Sequence, residues 1–193
     1  MPVRFSAVIL AGGASSRMGR DKAWIELDGH PLLRRQLDLA RAAGADDLWI
    51  SGRPDTDYSG LDAPVLLDRT PGLGPLAGLH RGLEAARHDL VLALAVDLAR
   101  LTPDWLRLVA GHGAPGCGAV PVADGRPQPL AAFYPRAIAP RVARHLAGRR
   151  LALQALVADG VAQGELVLVS LGPEAAPAFA NWNVPADLPK PPP

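Results

Sequence analysis

At 193 residues, with 49% hydrophobic and 20% charged side chains, the chain has the size and make-up of one folded domain with a substantial core. A net charge of +1 gives no basis for a polyanionic partner such as DNA or for an anionic membrane surface. The single cysteine, Cys117, excludes an intrachain disulfide and suits a reducing compartment.

The chain opens on the apolar run Phe5 to Leu10, which reads as a buried first strand. That run is at the floor of the length of a secretory apolar segment, and no window approaches the roughly 18–20 apolar residues of a membrane span. A cytoplasmic protein is the expectation. The strand leads into Leu10-Ala-Gly-Gly-Ala-Ser-Ser-Arg-Met-Gly-Arg-Asp-Lys22. Trp24 to Leu27 reads as a short extended piece ending in the turn Asp28-Gly29-His30, and Pro31 suits a first helical turn. Leu33, Leu37 and Ala40 then recur at helical spacing, and Gly44 closes that helix.

Leu48 to Ser51 and Val65 to Leu67 read as short buried strands, and Pro75 opens a helix with the face Leu76, Leu79, Leu83 and Ala86. Leu90 to Val96 is an unbroken apolar run, which argues for a strand covered on both faces and hence a parallel sheet. Ala119 to Val122 and Leu130 to Tyr134 read as strands paired across Asp124-Gly-Arg-Pro. Helices around Val142 and over Leu153 to Val157 and a strand over Leu166 to Val169 complete the order. The fold class is therefore α/β, a Rossmann-like three-layer arrangement with a mostly parallel central sheet. A single domain over residues 1–188 is expected, with the proline-rich tail 189–193 a disordered extension.

Chemistry gathers at the predicted strand ends. In open α/β sheets, ligands bind at the carboxyl ends of the strands. After the first strand, Gly12 and Gly13 allow a sharp turn that exposes backbone N–H groups, with the cations Arg17 and Lys22 close behind. That combination describes an anion cradle suited to nucleotide phosphates, and the alternative is a glycine turn before a solvated basic segment. Spacing excludes both the P-loop and the G-x-G-x-x-G fingerprint. Asp68 follows the strand Val65 to Leu67, and Asp97 follows the apolar run Leu90 to Val96. Carboxylates beside phosphates suggest Mg²⁺, although either aspartate alone could be a turn cap. The loop Thr70-Pro-Gly-Leu-Gly-Pro-Leu-Ala-Gly-Leu79 is either a second anion-binding helix start or a rigid connection with close packing at Gly78. Asn181 and Asn183 could hydrogen-bond a heteroaromatic substrate from one side of an extended chain, or belong to a turn. The five histidines show no metal-ligand spacing, and no protein nucleophile signature is found.

Leu10-Ala-Gly-Gly-x-Ser-x-Arg-Met-Gly-x-Asp-Lys22 resembles the signature loop of the molybdenum cofactor guanylyltransferases, within the nucleotidyltransferase superfamily. Gly74-Pro-Leu-Ala-Gly-Leu79, Gln128-Pro-Leu130 with Tyr134, and Asn181-x-Asn183-x-Pro-x-Asp-Leu188 are similar to the later motifs of that family, in order. The resemblance implies transfer of GMP from GTP to molybdopterin carrying molybdenum, with release of pyrophosphate. It implies nucleotide contacts from Leu10, Ala11, Gly12, Gly13 and Asp68, with Lys22 at the phosphates. Asp97 would bind both GTP and Mg²⁺, and Asn181 and Asn183 would lie on the molybdopterin side. Arg17, Lys22 and Asp97 are the residues expected to carry catalysis. GTP and molybdopterin are the implied substrates, with transient contacts to molybdopterin-loading and molybdoenzyme-maturation proteins. The segment around Ile50 and Ser51 matches too loosely to carry a residue over.

The family reads Cys-Asp-x-Pro where this chain has Val96-Asp97-Leu98-Ala99, so the carboxylate is kept and the proline is not. Three alternatives remain open: a related enzyme using CTP, one using a sugar-phosphate acceptor, and a non-catalytic nucleotide- or cofactor-binding homologue.

Overall fold

The computed structural model describes residues 3–12, 21–67, 69 and 72–182. Strand β1 (Phe5–Leu10) is followed by a short 3-10 turn (Lys22–Trp24), a hairpin of β2 (Glu26–Leu27) and β3 (His30–Pro31), and helix α1 (Leu32–Ala43). Next come β4 (Ala45–Gly52), β5 (Val65–Leu67), α2 (Pro75–Ala85), β6 (Leu90–Ala95) and α3 (Pro103–Ala110). The chain continues through β7 (Gly118–Ala123), β8 (Arg126–Pro127), β9 (Ala131–Pro135), α4 (Ala139–Ala147), α5 (Leu153–Ala162) and β10 (Leu166–Ser170). No helix among the described residues is long and apolar enough to cross a membrane.

The central sheet runs in the order β10-β7-β9-β6-β1-β4-β5, with β8 pairing β7 outside that path. Strands β6, β1, β4 and β5 are mutually parallel, as are β7 and β10; β9 runs antiparallel to both β6 and β7. Phe5, Ala7 and Ile9 of β1 face a core shared with Leu33 and Leu37 of α1 and Leu106 and Val109 of α3. Val8 and Leu10 face a second core built with Leu76, Leu79 and Leu83 of α2, Val142 of α4 and Leu156 of α5. Because both faces are covered, the strands need apolar residues at every position rather than at alternate ones. The mostly parallel α/β sheet expected from the sequence is the architecture observed.

Three local departures have physical reasons. Pro31 does not begin the helix; it ends β3, whose hairpin turns at Asp28 and Gly29, both at positive φ (52° and 77°) as the tight I′ turn requires. The second positive-φ pair, Asp124 and Gly125, joins β7 to β8 rather than to β9. Strand β9 does pair with β7, at Ala119 and Phe133, but most of its ladder is made with β6. Helix α3, begun by Thr102 and Pro103, has no counterpart in the sequence reading.

The register brings several strand ends to one rim. Leu10 stands opposite both Ser51 of β4 and Ala95 of β6, while Gly52 stands opposite Leu67 of β5. The segments that leave these strands therefore start side by side.

Candidate functional site

At the centre of that rim, Ala11 carries on from β1, and its N–H donates to the Ser51 carbonyl at 2.9 Å. Leu10 and Ala11 are buried, while Gly12 is exposed. A Cβ at Gly12 would meet only the Ser51 carbonyl oxygen, at an ordinary 3.8 Å. Packing among the described residues therefore does not require a glycine there. Ser51, buried at the matching point of β4, is adjacent to the site, which the loose sequence match did not identify.

Lys22 reaches across the rim. Its Nζ lies 3.0 Å from Oδ2 of Asp97, and both side chains are largely covered, at 19% and 16% exposure. This ion pair joins the segment after β1 to the segment after β6, 75 residues apart in sequence. Asp21 shapes the turn that carries Lys22: Oδ1 accepts from the Ala23 N–H at 3.1 Å, and Oδ2 accepts from Arg53 Nη2 at 2.7 Å. Arg53 follows β4, and its backbone N–H donates to the Tyr58 hydroxyl at 2.9 Å. In the sequence Asp21 appears only as a member of the first motif with no role of its own, and Arg53 is not singled out. The only available cue was the Asp-Lys pair that closes the first motif.

Asp97 lies two residues beyond β6, in a segment whose carbonyls are held by distant partners. The Trp182 N–H donates to the Asp97 carbonyl at 3.0 Å. Trp182 is itself buried against Leu27 and Leu32, with the Arg100 guanidinium 5.8 Å from its ring centre. Asn181, exposed, is thereby delivered to the same rim as Asp97. On the other side, the Ala95 N–H donates to the Leu130 carbonyl at 2.9 Å, which seats the Gln128-Pro-Leu130 turn beside Asp97. Tyr134 supports that turn from below, its hydroxyl donating to the Pro129 carbonyl at 2.8 Å. Burial pushes the Tyr134 phenol well above its usual range, so it acts as a neutral hydrogen-bond donor.

The glycine- and proline-rich loop resolves towards packing. Gly74 begins α2 at φ 66°, ψ −162°, a region essentially open only to glycine. A Cβ at Gly78 would stand 2.3 Å from Ser51 Oγ and 2.7 Å from Leu10 Cδ2. Gly78 therefore lets α2 lie directly on the two residues that border the site.

Of the residues predicted from sequence, Leu10, Ala11, Gly12, Lys22, Asp97 and Asn181 come together around this rim. Gly13, Arg17, Asp68 and Asn183 lie outside the described residues. An open cleft of about 430 Å³ lies between β5 and the segment after β4, lined by Arg53, Tyr58 and Leu67 among others; Lys22, Asp97 and Asn181 are not part of it. For a metal, the rim offers the Asp97 carboxylate. Among the described residues this is one hard oxygen donor, which fits magnesium, an ion that takes one or two carboxylates and completes its shell with phosphate oxygens and water.

Residues 7–166 match the MobA-like NTP transferase domain. A probable molybdenum cofactor guanylyltransferase of Opitutus terrae is 37% identical over 186 residues, covering 94% of this chain and 92% of the relative. A second, from Deinococcus radiodurans, is 40% identical over 188 residues, covering 95% and 91%. Among solved structures, the molybdopterin-guanine dinucleotide biosynthesis protein A of Archaeoglobus fulgidus superposes with a TM-score of 0.75. It is 22% identical and covers 94% of each chain, a likeness of fold.

Proposed function

Because the chain belongs to the family of MobA-like NTP transferase domains, we propose that it transfers GMP from GTP to molybdopterin carrying molybdenum. The products are the molybdopterin guanine dinucleotide cofactor and pyrophosphate. The observation that carries this reading is the Lys22–Asp97 pair, a cation and a carboxylate 3.0 Å apart where the segments after two adjacent strands meet.

A phosphate oxygen of molybdopterin forms a bond to the α-phosphorus of GTP, and the bond from that phosphorus to the β-phosphate oxygen breaks. Such chemistry needs in-line placement and charge stabilisation, with no protein nucleophile. In this reading Leu10, Ala11 and Gly12 border the nucleotide, with Gly13 and Asp68 as further contacts. Lys22 and Arg17 offset charge on the phosphates. Asp97 would hold Mg²⁺, which would supply charge neutralisation at the α-phosphate and the departing pyrophosphate. Asn181 and Asn183 face molybdopterin, and the Trp182 link to the Asp97 backbone keeps that acceptor side aligned with the nucleotide side. The cytoplasm is the proposed compartment, with transient contacts to the proteins that load molybdopterin and mature molybdoenzymes.

The test is turnover on molybdenum-loaded molybdopterin with GTP, CTP and ATP in parallel. Pyrophosphate release with GTP, dependent on both magnesium and acceptor, is the expected result. Faster release with CTP would reassign the nucleotide. Tight GTP binding without turnover would make the chain a carrier.

A further inference from the structure

Beyond β6 the sheet no longer supplies hydrogen-bond partners, so the backbone around Asp97 depends on other groups. One of these comes from the middle of α1. Gln36 is 2% exposed, and the other buried residues of that helix, Leu32, Leu33, Leu37, Ala40 and Ala43, are all apolar. Its Nε2 donates to the Leu98 carbonyl at 3.1 Å, with a longer contact to the Val96 carbonyl at 3.5 Å. Its Oε1 is buried with no hydrogen-bond partner among the described residues. Leucine or methionine would fill this place without a stranded oxygen, so packing alone does not account for the amide. What an apolar residue could not supply is the N–H donor.

We propose that Gln36 is a positioning residue for Asp97. Its amide holds the two carbonyls that flank Asp97, while the Trp182 N–H holds the carbonyl between them. Three consecutive carbonyls are thus fixed from α1 and from the C-terminal segment, and the carboxylate is kept at Lys22. The role rests on the function assigned to Asp97 above. The Leu98 carbonyl also accepts from the Leu101 N–H at 3.2 Å, which closes a turn with Ala99 at its second position. Proline is favoured at that position because its φ is already set. Ala99→Pro is therefore a way to stiffen the same turn without the amide.

The experiment compares the full chain with Gln36→Leu, Ala99→Pro and the double variant, by amide hydrogen exchange and by pyrophosphate release at graded magnesium concentrations. In Gln36→Leu, exchange at Leu101 and Trp182 should rise about tenfold while the amides of β6 stay as protected as before. Turnover should fall about tenfold and half-saturation by magnesium should move to higher concentration, since small misplacements of a reacting group cost rate steeply. Adding Ala99→Pro should restore both.

Unchanged exchange and kinetics in Gln36→Leu would overturn the proposal. So would a uniform rise in exchange across the core, which would make Gln36 a core filler. A kinetic loss that persists after Ala99→Pro has restored the exchange pattern would also overturn it. If the wild-type chain releases no pyrophosphate, the proposed reaction falls, and exchange still decides the clamp: protection lost locally sustains it, protection unchanged overturns it.

Discussion

At the scale of single residues, Lys22 and Asp97 are better covered than the exposed surface ion pairs among the described residues. Arg4–Asp46 and Arg107–Asp104 stand largely in solvent, where such pairs contribute roughly 0–1 kcal/mol. Lys22 and Asp97 are mostly shielded, where charge is less screened by solvent. Asp97→Ala should lower pyrophosphate release by about a hundredfold or more, the range seen when a preorganised electrostatic group is removed. Near wild-type turnover in that variant would remove Asp97 from the mechanism. Lys22→Ala should cripple turnover comparably while its circular dichroism and melting curve stay close to wild type. Asp21→Ala tests the turn itself: the lost cap should cost about 1 kcal/mol and raise the KM for GTP. The motif made Lys22 and Asp97 legible in the sequence. Gln36 and Arg53 were not, because their partners lie far along the chain and only folding brings them together.

At the scale of elements, α2 meets the sheet through two glycines, and their surroundings separate two effects. A Cβ at Gly82 would stand 2.6 Å from Val8 Cγ1 and 2.7 Å from Val8 Cβ, the latter an atom that moves only with the β1 backbone. A Cβ at Gly78 would press on Ser51 Oγ and Leu10 Cδ2, which can rotate away but lie beside the site. Gly82→Ala should therefore be mainly a stability defect, costing about 1–3 kcal/mol in urea unfolding and partly relieved by Val8→Ala. Gly78→Ala should cost less stability and raise the KM for GTP more. Equal effects on both measures would show that the helix shifts as a rigid body. The sequence left the loop 70–79 open between an anion-binding helix start and a rigid connection, and the Cβ distances show the close packing at Gly78. Strand identities were legible because buried parallel strands are apolar throughout. The insertion of β9 between β6 and β7 was not, since pairing order depends on contacts remote in sequence.

Across the whole molecule, the opposite end of the sheet is secured by Asp47, a buried carboxylate on β4. Burial by itself would raise its pKa, but the Ser6 hydroxyl at 2.6 Å and the Arg87 backbone N–H at 2.9 Å outweigh it, and the carboxyl is held below the usual range. A depressed carboxyl contributes stability above its unfolded value, near pH 4, and loses it as pH falls through the folded value. Asp47→Asn should flatten the acid limb of the stability curve, measured by urea midpoints between about pH 2.5 and 7. An unchanged acid limb would assign acid sensitivity to other carboxylates. At this scale the sequence was most informative, since alternating strands and helices with two-sided burial leave few architectures. A last consequence belongs to the Lys22–Asp97 pair. An ammonium already resting on the carboxylate makes ligand uptake an exchange of counter-ions. If Asp97 holds a divalent cation, that cation would compete with Lys22 for the carboxylate, and Lys22 would then be available to an arriving triphosphate. Metal and nucleotide would then favour each other's entry, and by reciprocity each should raise the other's affinity by the same factor.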